Sequence, residues 1–256
     1  MKEPSKIVVI TGGSSGIGTE MAQYFAGKGW DVAVTYAGNA AGAETTVAAI
    51  ESLGQRGFMM QCDVGYKDQV DAFLDAVTVK LGLPQLLVNN AGVQTWASFL
   101  DLKEEDWDNT IRTNLKGYFL CTQKYAKLCV EHKRPGNVVM IGSGCNKVPF
   151  PKLVDYSVSK GGIENLTQVA AIELGEYGIR VNCVAPGAIE IERTRLEVPE
   201  YAEIWGKLSP LGRVGNSLDI AQTVEYFGSD AASYVTGQTV YVDGGVFTLP
   251  NWPEYG

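Results

Sequence analysis

The chain has 256 residues, 45% of them hydrophobic and 20% charged, a composition that suits a globular protein with a sizeable core. Its net charge of −8 argues against nucleic-acid binding through a basic face, yet leaves room for an anionic cofactor, because backbone amides bind phosphate. Five cysteines (Cys62, Cys121, Cys129, Cys145, Cys183) with no C-x-x-C pair, and one histidine, His132, leave no zinc ligand set, so no metal is expected.

Residues 6–11 (KIVVIT) form a nearly continuous apolar run, the signature of a buried parallel strand. A glycine-rich turn follows, Gly12-Gly13-Ser14-Ser15-Gly16-Ile17-Gly18, and residues 20–28 then take helical spacing. Strand 32–36, helix 41–53, strand 58–61, helix 68–81 and strand 86–88 come next, the last running into Asn89-Asn90-Ala91-Gly92. Residues 104–131 read as one long helix. Strand 137–141 leads to Gly142-Ser143-Gly144. A helix containing Tyr156 runs to about residue 176, and strand 179–184 closes on Pro186-Gly187. Helix 219–227 and strand 238–242 complete the pattern.

Strands that alternate with helices predict a doubly wound parallel α/β sheet of about seven strands, in one Rossmann-type domain spanning 1–256. Right-handed crossovers bring every strand's C-terminal end to one edge. The glycine turn, Asp63, the Asn-Asn-Ala-Gly turn, Ser143 and Pro186-Gly187 all fall on that edge, where open α/β sheets bind ligands. No segment has an apolar signal core or approaches the ~20 apolar residues of a membrane span. The expectation is a reduced, cytoplasmic protein without membrane or nucleic-acid partners.

Tyr156 and Lys160 lie one helical turn apart on one face. An ammonium beside a phenol favours the phenolate, and bringing a tyrosine to neutrality from its ordinary pH of about 10 takes about 4 kcal/mol. The spacing therefore predicts a tyrosine whose pKa Lys160 lowers. Gly12, Gly16 and Gly18 between a strand and a helix let the backbone approach a pyrophosphate at the helix N-terminus. The bland reading of each is a packed tyrosine, a solvated lysine and a tight turn. His132, at a helix end beside Lys133 and Arg134, complements the helix dipole.

Thr11-Gly12-x3-Gly16-Ile17-Gly18, Asn89-Asn90-Ala91-Gly92, Asn114, Ser143, Tyr156-x3-Lys160 and Pro186-Gly187, in this order, resemble the motifs of short-chain dehydrogenases/reductases over residues 6–245. Within that family the chain is most similar to the bacterial glucose 1-dehydrogenase branch, through Val148-Pro149-Phe150-Pro151, Pro186-Gly187-Ala188-Ile189 and Ala232-Ser233-Tyr234-Val235-Thr236-Gly237. The resemblance implies an NAD(P)-dependent oxidoreductase acting on a secondary alcohol or ketone, with a sugar or polyol as candidate substrate. It implies Tyr156 as acid/base and Lys160 as the residue that lowers its pKa and bonds the nicotinamide ribose. Ser143 would hold the substrate oxygen, and Asn114 would sit at a helix kink that holds a water.

For the cofactor it implies Gly12, Ser14, Ser15, Gly16, Ile17 and Gly18 at the pyrophosphate, and Asp63 with Val64 at the adenine. Asn90, Ala91 and Gly92 fall at a ribose; Pro186, Gly187 and Ile189 at the nicotinamide. Without the family, Asp63 reads as a helix N-cap. Ile191 stands where the family has a threonine for the carboxamide, and Thr194 is the substitute. Cofactor choice falls to Tyr36, where an acid would select NAD; with none present, and with Ser14, Ser15 and Asn39 available to a 2′-phosphate, NADP is expected over NAD.

Residues 188–210 should cover the substrate, with Ile191, Leu196, Tyr201, Ile204 and Trp205 apolar. Gln94, Trp96, Phe150 and Cys145 are expected at the same pocket. Two other functions compete: a 3-oxoacyl-thioester reductase of fatty-acid synthesis, and a non-catalytic NAD(P)-sensing regulator. A regulator is expected to lose part of the set Asn114, Ser143, Tyr156 and Lys160, which this chain keeps. The resemblance further implies a homotetramer, and the aromatic tail 246–256 reads as a segment crossing to a neighbouring subunit rather than a strap on its own.

Overall fold

The computed structural model of the protein describes residues 6–248. Its seven strands form one parallel sheet: β1 (Ile7–Ile10), β2 (Asp31–Tyr36), β3 (Gly57–Gln61), β4 (Leu86–Asn89), β5 (Gly136–Ile141), β6 (Ile179–Pro186) and β7 (Thr239–Val242). The order is β3-β2-β1-β4-β5-β6-β7. The chain winds outward from β1 through β2 to β3, then crosses back to β4 on the other side of β1. That reversal opens a crevice above the C-terminal ends of β1 and β4.

Successive strand side chains point to opposite faces, and the core divides accordingly. Val8 and Ile10 pack on one face with Met21, Phe25, Ile50 and Phe227, from helices α1 (Gly16–Gly27), α2 (Ala40–Ser52) and α9 (Ser217–Gly228). Val9 packs on the other with Phe73, Tyr118, Tyr125 and Ile163. Those residues come from α3 (Lys67–Lys80), α5 (Gly117–Glu131) and α6 (Val154–Leu174). All four residues of β1 are buried, as the unbroken apolar run requires.

Two regions differ from the sequence expectation. Residues 104–131 are not one helix: α4 (Glu104–Ile111) is joined to α5 by a π turn, Arg112–Lys116, in which the Gly117 amide reaches back to the Arg112 carbonyl. The extra residue in that turn lets buried Asn114 point at the β4 loop instead of following the helical face. The covering segment carries two helices that the pattern did not disclose, α7 (Glu192–Glu197) and α8 (Tyr201–Leu208). Each is too short to show a periodic stripe. Among the described residues no helix is long and apolar enough to cross a membrane.

Candidate active site

The glycine turn is shaped by close packing. A Cβ on Gly12 would lie 2.8 Å from Ala91 Cα, and one on Gly18 would lie 2.3 Å from the Gly12 carbonyl oxygen. Gly16 has φ +54, and its missing Cβ would meet only Ile191 Cδ1, at 3.4 Å. The turn thus presents bare backbone to the crevice. Ser15, at the N-cap of α1, makes no side-chain cap, and the first turn of α1 holds no acid. Its amides are left for an outside acceptor, which is the donor set a pyrophosphate needs. The residues present therefore fit a dinucleotide.

Thr11 ties this turn to the next loop: its Oγ1 accepts from the amides of Asn90 at 2.9 Å and Ala91 at 3.0 Å. Asn90 Nδ2 donates to the Thr11 carbonyl at 2.9 Å, so its side chain clamps β4 to β1. Three expectations need correction. Asn39 is not free for a 2′-phosphate. It caps α2 by accepting from Gly42 N at 3.0 Å, and it donates to the Ser14 carbonyl at 3.0 Å. Asp63 is not the N-cap of α3, a place held by Tyr66; its Oδ1 accepts from Gly65 N at 2.9 Å, and Oδ2 lies 3.9 Å from Arg112 Nη2. Thr194 is no free substitute for the missing threonine, because its hydroxyl accepts from Ile191 N at 2.9 Å within the first turn of α7. Tyr36 ends β2 half-buried, with Ala37 and Gly38 exposed beside it.

Three of the four catalytic candidates, Ser143, Tyr156 and Lys160, come together at the end of β5, and Asn114 joins them through Ser159 on α6. Lys160 Nζ donates to the Ile141 carbonyl at 2.8 Å and lies 5.4 Å from the Tyr156 ring centre and 5.5 Å from that of Tyr118. Ser143 follows β5 by two residues, and its Oγ accepts from Cys145 N at 3.2 Å. Asn114 accepts from Val93 N at 2.8 Å, and donates to the Val93 carbonyl at 2.8 Å and to Ser159 Oγ at 3.0 Å. Ser159 in turn donates to the Tyr156 carbonyl at 2.7 Å. The Asn114 side chain is therefore bonded to protein partners on both sides. Ile141, Val93 and Ser159 escaped sequence reasoning because two of them act through backbone atoms and the third is a common residue in a helix.

Between the loops after β4 and β5 and helix α8, Trp96, Phe150, Trp205 and Tyr201 form a row of rings. Trp96 meets Phe150 edge-on at 5.9 Å, Phe150 lies 6.0 Å from Trp205, and Trp205 lies 6.2 Å from Tyr201. Cys145 is half-buried and lines one cavity with Phe150, and Gln94 is half-buried two residues before Trp96. Phe247, absent from the sequence-derived set, seats its ring on Gly144. The tail beyond Thr248 lies outside the described residues.

The family profile described as Enoyl-(Acyl carrier protein) reductase matches residues 12–247. The chain belongs to the short-chain dehydrogenase/reductase family. It is 38% identical over 250 residues to 3beta-hydroxysteroid dehydrogenase 1 of Eggerthella lenta, covering 96% of this chain and 95% of that protein. It is 39% identical over 243 residues to the 3-oxoacyl-(acyl-carrier-protein) reductase FabG of Staphylococcus aureus, covering 95% and 98%. The crystal structure of acetoin dehydrogenase YohF from Salmonella typhimurium superposes with a TM-score of 0.87 at 30% identity, covering 97% of this chain and 99% of that one. Within this family the chain is an NAD(P)-dependent oxidoreductase acting on CH–OH groups.

The electrostatics of the pair run against the simple expectation. Burial pushes the Tyr156 phenol up to about 12, while contact with Ser143 pulls it down. Burial also brings Lys160 down to about 8. The lysine would thus lose its proton before the phenol ionises, and no ammonium remains to favour the phenolate. At neutrality both groups therefore keep their protons, a neutral phenol beside a buried ammonium.

This has a consequence for stability. An unfolded lysine keeps its proton to about 10.5, whereas folded Lys160 releases it near 8. Between those values the unfolded chain binds more protons, so stability rises with pH. Below pH 8 the full penalty applies, roughly 3 kcal/mol at about 1.4 kcal/mol per unit. Lys160→Met removes it and gives up one bond to Ile141, about 1 kcal/mol. The variant should be more stable than the parent to urea at pH 7, and the difference should shrink as pH rises from 8 to 10.5. A difference independent of pH would show that Lys160 is not desolvated.

Proposed function

We propose that the chain catalyses reversible hydride transfer between NAD(P) and a secondary alcohol or ketone, with Tyr156 as the group that gives and takes the substrate's proton. The observation that carries this reading is the convergence of Ser143, Tyr156 and Lys160 at the end of β5, beside a glycine turn with unclaimed amides. The nicotinamide, when bound, supplies or accepts the hydride. Ser143 orients the substrate oxygen. Tyr156 passes its proton to the carbonyl oxygen during reduction and is reprotonated from solvent. Its neutral state is the one reduction needs; alcohol oxidation needs the phenolate and gains as pH rises. Lys160 would hold the ribose of a bound cofactor, and Asn114 braces α6 through Ser159.

Two substrate classes have separate support. A sugar or polyol follows from the resemblance to glucose 1-dehydrogenases. A 3-oxoacyl thioester follows equally from the Staphylococcus aureus relative. The covering segment 188–210 holds five acids (Glu190, Glu192, Glu197, Glu200, Glu203) against three bases (Arg193, Arg195, Lys207), a poor rim for an acidic carrier protein. NADP is the favoured cofactor, supported by the lack of an acid at Tyr36; with Asn39 committed, Ser14 and Ser15 carry the contact. A homotetramer is supported by exposed apolar residues on α5 and α6, namely Phe119, Val130, Val158, Val169 and Ile172.

Tyr156→Phe keeps the ring and removes the proton, so turnover should fall by about 10²–10⁴-fold with the fold intact. Near-parental rates for that variant, read by nicotinamide absorbance with glucose, sorbitol, acetoin and acetoacetyl-CoA, would overturn the mechanism. Tyr36→Asp sets a carboxylate against a 2′-phosphate, and the ratio of Kd values should move toward NAD. An unchanged ratio would place the 2′-site elsewhere. Light scattering should give a mass four times that of the chain, and a monomer would remove the assembly proposal.

A further inference from the structure

The end of the described chain folds back onto the catalytic loop. After β7, the Asp243 carboxylate accepts from Gly245 N at 2.9 Å and from Phe247 N at 3.1 Å. Gly244 and Gly245 take φ values of +61 and +89, which make this reversal. The same turn is pinned to the covering segment, where Ser209 Oγ donates to the Gly244 carbonyl at 3.1 Å. Phe247 is thereby laid on Gly144, the residue after Ser143. A Cβ on Gly144 would fall 1.8 Å from Phe247 Cε2 and 2.3 Å from its Cζ. The ring occupies the space that any side chain at 144 would fill.

Phe247 thus sets an aromatic ring against the residue next to Ser143, and Trp96, Phe150, Trp205 and Tyr201 form a row of rings. Trp96 is 57% and Phe150 39% exposed, so these rings present apolar surface outward. The row reaches the loop after Ser143 through Phe150, which lines one cavity with Cys145 and Asn146. Near Ser143, Thr194 is bonded to Ile191 and Asn146 Oδ1 to Ser143 N, while two buried donors, Asn146 Nδ2 and Ser157 Oγ, lack a protein partner. A polyol needs several uncommitted donors and acceptors in register; aromatic walls suit a rigid apolar body.

We infer that Phe247, seated on Gly144, is a specificity-determining residue that selects substrates whose carbonyl or hydroxyl sits on an apolar ring system. This rests on the oxidoreductase reading above. The experiment compares kcat/KM for 1-decalone, acetoin and sorbitol in the full-length protein, with saturation-transfer NMR of decalone as a direct binding readout. The parent enzyme should favour decalone over sorbitol. Phe247→Ala and the milder Phe247→Leu should cut the decalone-to-acetoin selectivity, by at least roughly tenfold for Ala, and weaken saturation transfer to the decalone ring.

Gly144→Ala should evict the ring and mimic Phe247→Ala, and the double variant should be no worse than either single one. Additive losses, an unchanged selectivity, or a parental preference for sorbitol would each overturn the inference. Tyr156-dependent turnover of sorbitol with none of decalone would do so while sparing the oxidoreductase reading. Absence of turnover with every compound and both cofactors would overturn both.

Discussion

A single buried ammonium sets the terms for the rest of this structure. Lys160 is 3% exposed, and its amine rests on the Ile141 carbonyl, the last acceptor of a central strand. Burying that charge is costly unless it is bonded. The fold meets the cost with one carbonyl and two ring faces, those of Tyr118 and Tyr156. Tyr118 also donates to the Ile141 carbonyl, at 3.2 Å. The Tyr156 ring faces the same amine from one turn before it, and burial moves both groups toward their neutral forms. A stable protein would avoid this arrangement; a proton-transfer site requires it.

Around that point the structure uses side chains as clamps between loops. Thr11 and Asn90 join the glycine turn to the β4 loop, Asn114 joins the β4 loop to α6 through Ser159, and Asp243 folds the chain's end onto Gly144. Each clamp connects two loops at the C-terminal edge of the sheet, so the crevice is held by hydrogen bonds that cross the switch point. This rigidity is what lets a crevice made of loops present groups in fixed geometry.

Most of the fold was legible because its signals are local. The unbroken run before Gly12, the alternation of strands and helices, and the Tyr156–Lys160 spacing can each be read within a few residues. What was not legible depends on partners distant in the chain. The family motif placed a kink at Asn114, but its form, a π turn that sets Asn114 on Val93, depends on a partner 21 residues away. Asn39 looked available for phosphate until its cap on α2 and its bond to Ser14 appeared. Helices α7 and α8 are six and eight residues long, too brief for a pattern. The inverted order of Tyr156 and Lys160 arises from burial, which spacing does not report. Phe247 stood in the sequence as part of an aromatic tail, and only the Asp243 turn explains where its ring goes.

The central claim is that Lys160 is a desolvated ammonium anchored on the Ile141 carbonyl. The most direct test is an NMR titration of the Lys160 side chain in the cofactor-free protein, assigned by comparison with Lys160→Met. A desolvated Lys160 titrates with a midpoint near 8. A midpoint at the ordinary lysine value of about 10.5 would mean that the amine is solvated, and the account of the site would be wrong.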